Sequence, residues 1–166
     1  MANSKTVVRP YFPKDFSTQL VEKSAAAGAA LTPGTLVVEV DGLIVACDTD
    51  TALHTTLPVY MVWTDGSSRT DIQVYQLDGT STEMYTCIAG VVKADVAAAA
   101  FSATPVAGDL LLRSATAGLI DPLSEAEYTT LLGTTVAADQ RVVGRVEAVG
   151  GRLAGAGFFN CTLNLA

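Results

Sequence analysis

Along most of the chain, apolar residues come in short runs of four to seven, cut by glycine, proline and aspartate rather than spaced at helical intervals. That pattern predicts strands. "TLVVEV" (35–40) and "LIVACD" (43–48) flank Asp41-Gly42, a pair suited to a two-residue hairpin because both positions tolerate positive φ. "VYMVWTD" (59–65) and "DIQVYQL" (71–77) flank a Gly-Ser-Ser-Arg turn, and Asp78-Gly79 closes the second run. "EMYTCIAGVV" (83–92) follows, then "DLLLRSATAGLI" (109–120), in which "SATAG" reads as a turn. "RVVGRVEAVGG" (141–151) and "GFFNCTLNLA" (157–166) complete the series. Many short strands with frequent turns imply an all-β fold, a compact barrel or sandwich.

One short helix stands against this. In "SEAEYTTLL" (124–132), Ser124 and Glu127 have capping-box spacing, Pro122 precedes and Gly133 follows. The alanine-rich "ADVAAAAFSATP" (94–105) fits either a short helix or a packed loop. Residues 1–17 differ from the rest. Pro10 and Pro13 exclude a regular helix there and bias their neighbours towards extended backbone. The chain therefore divides into an N-terminal arm, 1–17, and a single β domain, 18–166, with about 49–85 as a candidate insertion.

Composition changes this picture in one respect. Hydrophobic residues make up 49% of the 166 and charged residues 16%, well under the usual quarter. So few charges imply a large interior or a surface covered by partners. The net charge of −7 speaks against a duplex-DNA partner, which calls for a basic face. The arm runs the other way, with Lys5, Arg9 and Lys14 against Asp15. Its Val7, Val8, Arg9, Tyr11, Phe12 and Phe16 are the candidate partner-binding residues, since an extended segment cannot bury such side chains by itself. It needs a surface, its own body's or a neighbour's.

Candidate chemistry is thin. Cys47, Cys87 and Cys161 have no metal-ligand spacing and sit in apolar runs, which fits small hydrophobes in a reduced compartment. The N-terminal residues lack the apolar core of a secretory signal, and "SAAAGAALTPGTLVVEV" (24–40) is too broken for a membrane span, so a soluble protein is expected. His54 is the sole histidine, with no nucleophile motif to serve, and reads as an exposed loop residue. Asp41, Asp48 and Asp50 lack the ordered oxygens of a calcium loop. Gly150 and Gly151 lack the context of a phosphate loop and read as a glycine-rich β turn. Arg141 and Arg145 share a strand face and, with Glu147, predict a charged edge. Tyr60 and Trp63 fall on opposite faces of their strand. No catalytic residue, cofactor or metal is expected, and no nucleic-acid or membrane partner.

Gly108, Asp109 and Leu110 open one strand, Gly118 and Leu119 close its hairpin, and Val143, Gly144 and Val146 form a late strand. With the "PG"-led hairpin at 33–48, these resemble the recurring "G-D-x-[LV]", "G-L" and "V-G-x-[VA]" segments of the small capsid decoration (cement) proteins of tailed bacteriophages. The resemblance covers roughly 24–48 and 86–166 and rests on short glycine and apolar motifs. It implies a compact, β-tulip-like barrel made in the host cytoplasm. It also implies attachment to the outer surface of the major capsid protein lattice, as a homotrimer or alternatively a dimer, with no catalytic residues. A tail-tube or other virion subunit is the alternative, distinguished by forming rings or tubes by itself.

Overall fold

In the computed structural model the described residues are 9–11, 19–26, 28–64, 75–77, 80–133 and 142–165. The architecture is the all-β one expected: a single antiparallel sheet, curled into a half-barrel, with two helices among the described residues. Its strands are β1 (Arg9–Tyr11), β2 (Gln19–Ala26), β3 (Leu36–Val40), β4 (Leu43–Ala46), β5 (Tyr60–Thr64) and β6 (Tyr75–Leu77). They continue with β7 (Thr80–Ala97), β8 (Leu110–Arg113), β9 (Ile120–Leu123), β10 (Val142–Gly151) and β11 (Gly155–Leu165).

β7, 18 residues long, is the spine. Its first half is paired on both edges, Ile88 facing Leu20 of β2 and Met61 of β5. Its second half is paired again, Ala94 facing Pro10 of β1 and Cys161 of β11. From β5 the sheet runs to β3 and β4, and from β11 it runs to β10, β8 and β9. The two wings meet where the β8–β9 turn docks on the start of β3. There Leu36 N–H donates to the Gly118 carbonyl at 2.9 Å, and Gly118 N–H to that of Cys47 at 2.7 Å.

The wall made by β3, β5 and β7 is apolar on both faces. Leu36, Val38, Met61 and Ile88 join the main core with Leu111, Ile120, Val143, Phe159, Cys161 and Leu163. Val37, Val62, Tyr85 and Cys87 point the other way, into a smaller cluster closed by Ala25 of β2 and Ile44 of β4. Burial on both faces explains why "LVV" and "MVW" run on without polar alternation. Trp63 packs on the first cluster and Tyr60 on the second, the opposite faces their spacing predicts. β11 is the contrast. Phe159, Cys161, Leu163 and Leu165 are buried while Asn160, Thr162 and Asn164 are not, the period of two of a one-sided strand.

The Asp41-Gly42 hairpin forms between β3 and β4, with φ of 50° and 81° at its two residues. Helix α2 (Glu125–Leu132) begins at Ser124 with the expected capping box, Ser124 N–H donating to Glu127 Oε2 at 2.8 Å and Glu127 N–H to Ser124 Oγ at 3.3 Å. The Ser124 hydroxyl, donating to Glu127 Oε2 at 2.7 Å, and the Ser124 N–H together hold the Glu127 carboxyl below its ordinary pKa.

Three expectations need correction. A second helix, α1 (Ala52–Thr56), precedes β5, launched where Asp48 Oδ1 accepts from Thr51 N–H at 2.6 Å. The alanine run is strand through Ala97 and then a single 3₁₀ turn, Ala98–Ala100, because Phe158 and Phe159 of β11 still offer ladder partners there. β6 pairs with β7 rather than β5, both edges of β5 being taken by β3 and β7. Within the stretch 49–85, β5 supplies the buried Met61 and Val62 to the core.

Candidate partner-binding surface

The conventional places for chemistry are sealed. His54 is buried, 8% exposed, and not in an open loop as its sequence context suggests. Arg113, reaching across from β8, causes this. Its guanidinium donates to the carbonyls of His54 at 2.7 Å and Thr55 at 3.0 Å, drawing the end of α1 onto the body. The ring's Nδ1 accepts from Asp48 N–H at 3.4 Å and lies 3.5 Å from Asp48 Oδ2. Cys47 is buried beside Arg113; burial raises its thiol pKa and the guanidinium partly opposes that. Cys87 and Cys161 are free, buried and pushed up to about 12 by burial. Thiols so protonated and covered are not nucleophiles at neutral pH.

Asp48 is occupied by Thr51 and His54, and among the described residues no group of three His, Cys, Asp or Glu could hold a metal ion. A groove of about 430 Å³ lies between β2, β5 and the end of β11, lined by Gln19, Val21, Lys23, Pro58, Tyr60 and Leu165, among others. Lys23 is its cation, paired with Glu39 and 4.7 Å above the Tyr60 ring. The Glu39 bond raises the Lys23 pKa against the opposing effect of burial. Such a lining offers packing and one charge pair, with no nucleophile beside a base. No helix among the described residues is long and apolar enough to cross a membrane.

The glycine-rich turn has a more specific design. The N–H groups of Arg152, Leu153 and Ala154 converge on the carboxylate of Asp95, at 2.6 to 2.8 Å. Three converging N–H groups form an anion nest. Its anion is the protein's own side chain, from near the C-terminal end of β7 and fully buried. Gly151 lets the hairpin close over it: a Cβ there would lie 2.9 Å from the Asp95 carboxylate and from Phe158 Cβ. The sequence offers no local sign of this, since Asp95 and the turn are nearly sixty residues apart.

Of the arm residues singled out, Arg9 and Tyr11 lie in β1, opposite Asp95 and Lys93 of β7. This part of the arm pairs through its backbone with the protein's own β7. Val7, Val8, Phe12 and Phe16 lie outside the described residues, as does Arg141. Arg145 and Glu147 are exposed, Arg145 Nε donating to Gly108 O at 3.3 Å and Glu147 accepting from Thr162 Oγ1 at 3.0 Å.

Two of the motif segments bond directly to each other, and the third, Gly118-Leu119, lies apart on the start of β3. Gly108 N–H donates to Val146 O at 2.8 Å, and Val146 N–H returns to Asp109 O at 2.9 Å, so the entry to β8 is stitched onto β10. At Gly144 a Cβ would lie 2.5 Å from Thr162 O, so only glycine lets β10 and β11 approach this closely. Comparison with known proteins adds nothing further: no family model, no curated protein and no solved structure matches the chain.

Proposed function

We propose that this protein is a capsid decoration (cement) protein of a tailed bacteriophage, binding the outer face of the assembled major capsid protein lattice as a small homo-oligomer, foremost a trimer. The observation that carries the reading is the place of the three motif segments at closure points of the sheet. Gly108-Asp109, Gly118-Leu119 and Val143–Val146 are distant in sequence, yet the first and third bond directly and the second closes the curled sheet on β3. The resemblance thus rests on connected, fold-determining positions. A charge-poor body and an arm of opposite charge support the same role.

Cement acts by adding buried area across capsomer boundaries. Each 100 Å² of apolar surface removed from water contributes about 2.5 kcal/mol before ordering costs. Repetition over a shell multiplies modest contacts, so a binder needs no catalytic group and no cofactor.

The test is co-sedimentation with heads of the encoding phage prepared without the protein. Saturable binding and greater resistance of the heads to heat are expected. Unaided assembly into rings or tubes would instead identify a tail-tube subunit. Sedimentation equilibrium should return a trimer, and a clean monomer at micromolar concentration counts against the reading. Removing residues 1–17 should lower head affinity at least tenfold, about 1.4 kcal/mol. Undiminished binding would leave the arm without a role in attachment.

A further inference from the structure

An aspartate in a folded protein stays chemically quiet while its carboxyl, or the backbone N–H that follows it, is held in a hydrogen bond. When both are uncommitted, that nitrogen can attack the carboxyl carbon and close a five-membered ring. Most of the described aspartates are held. The Asp48 carboxylate accepts from Thr51 N–H at 2.6 Å, and the N–H that follows it, of Thr49, donates to Ser114 O at 3.2 Å. The N–H after Asp50 is that same Thr51 group. Asp95 is fixed by its three donors, and Asp109 accepts from Val106 N–H at 2.8 Å. Asp121 accepts from Ser102 Oγ and precedes Pro122, which has no N–H to attack with.

Asp41 is the exception among them. It is exposed, as is Gly42, and no hydrogen bond to a described residue holds its carboxylate. The β3–β4 ladder ends at the Val40–Leu43 pair, which leaves the N–H of Gly42 outside it. Gly42 has no Cβ to hinder the approach of its own nitrogen. Asp78-Gly79, the chain's other such pair, lies outside the described residues.

We propose that Asp41 is a site of spontaneous isomerisation, at which the peptide bond to Gly42 migrates to the side-chain carboxyl. The Gly42 nitrogen bonds to Cγ of Asp41 in its neutral carboxyl form. The Cγ–OH bond breaks, and the hydroxyl and the amide proton leave together as water. Water then adds at the main-chain carbonyl, that C–N bond breaks, and the chain continues through the side chain as isoaspartate. One water leaves and one returns, so the mass is unchanged and no oxidant or other co-reactant is needed. The product carries an extra methylene in the main chain of a two-residue turn, the element that sets the register of β3 on β4. β4 supplies Ile44 to the smaller apolar cluster, so the aged protein should weaken at this hairpin first. The inference goes beyond the decoration reading and stands without it.

The experiment ages the folded full-length protein for weeks in warm, mildly acidic buffer and maps isoaspartate by peptide digestion and fragmentation. Labelling by an isoaspartyl methyltransferase gives a second count. Position 41 should hold several-fold more isoaspartate than any of Asp48, Asp50, Asp95, Asp109 and Asp121. The melting temperature should fall as it accumulates. Asp41→Gly keeps a turn that tolerates positive φ and cannot form the ring, so it should fold and lose less stability than the parent on ageing. Asp41→Asn should react faster through the same ring, releasing ammonia, with the mass gain of amide-to-acid conversion. Isoaspartate at 41 no higher than at the bonded aspartates, while the urea-unfolded chain forms it there readily, overturns the inference by showing that the turn shields the pair. Equal loss of stability in the aged parent and the aged Asp41→Gly variant overturns the claimed effect on the hairpin.

Discussion

Asp95 and Arg113 are buried charges put to the same use with opposite sign. Asp95, on β7, accepts three backbone N–H groups from the β10–β11 turn. Arg113, on β8, donates to two backbone carbonyls at the end of α1. Each meets the cost of burying a charge by satisfying loop backbone that would otherwise lack partners. The results differ. The Asp95 loop is fixed so as to display Val149 and Leu153, whereas the Arg113 loop is drawn inward over His54 and Cys47. One device presents a surface and the other seals one, so a buried charge by itself marks neither a catalytic site nor mere stability.

The sharpest way to break the comparison is Asp95→Ala, which leaves three N–H groups with no acceptor. A loss of about 3 kcal/mol is expected in urea unfolding, the upper end of the scale for leaving buried donors unsatisfied. Asp95→Asn should lose less, since the amide oxygen still accepts. A loss under about 1 kcal/mol for the alanine variant would mean that water replaces the carboxylate and that the tip is not rigidly held.

Arg113→Met comes next, at about 1–3 kcal/mol, the scale for leaving buried acceptors unsatisfied. It should also unseal the region it covers. In the native protein, thiol reagent is expected to titrate none of the three buried cysteines at neutral pH. In the variant Cys47 should react while Cys87 and Cys161, away from α1, stay protected. Equal reactivity of all three would indicate general loosening, and no reactivity would show that Arg113 seals nothing.

Gly151→Ala probes the Asp95 side at smaller scale. Its Cβ would press on the carboxylate and on Phe158, for an overpacking cost of about 1–3 kcal/mol. Combined with Asp95→Ala, where the carboxylate is gone and Phe158 alone remains in the way, its cost should shrink. Strict additivity would mean that the two residues do not act on one another.

These two regions also mark where the sequence could be read. The Asp41-Gly42 turn, the Ser124–Glu127 cap and the alternation of β11 follow from neighbours in the chain, and each was legible. Alternation blurs in β3 and β5 because both faces are buried, so apolar runs located the strands without giving their partners. Asp95 and Arg113 were illegible because their acceptors and donors lie 57 to 59 residues away. His54 was misread for that reason: its local sequence is polar, and its burial is imposed by a side chain from β8. The tip was read correctly as a glycine-rich turn. Its exposed Leu153 could not be foreseen, because exposure depends on how the hairpin curls over Asp95.

The smallest expected effect concerns Asp48, which supports the sealed loop from outside. Partial burial pushes its carboxyl pKa up, but the hydroxyl and N–H of Thr51, with His54 beside it, outweigh this and hold it below its ordinary 3.8. A carboxyl depressed in the folded state adds stability above its unfolded pKa, and that contribution disappears as pH falls through the folded value. The loop should therefore weaken below about pH 4. With 17 acidic residues in the chain, the wild-type acid profile alone says little, so the readout is its difference from Asp48→Asn. Asparagine can still accept from Thr51 N–H but carries no charge. Above pH 5 the variant should be less stable by under about 1 kcal/mol, the scale of a solvent-screened pair. As the wild-type carboxyl protonates the two urea midpoints should converge. The sealing loop is tied partly by Asp48, close to the surface, while the displayed tip hangs on Asp95, which is fully buried. Profiles that stay parallel down to pH 2 would remove Asp48 from the account and leave Arg113 as the main fastening of α1.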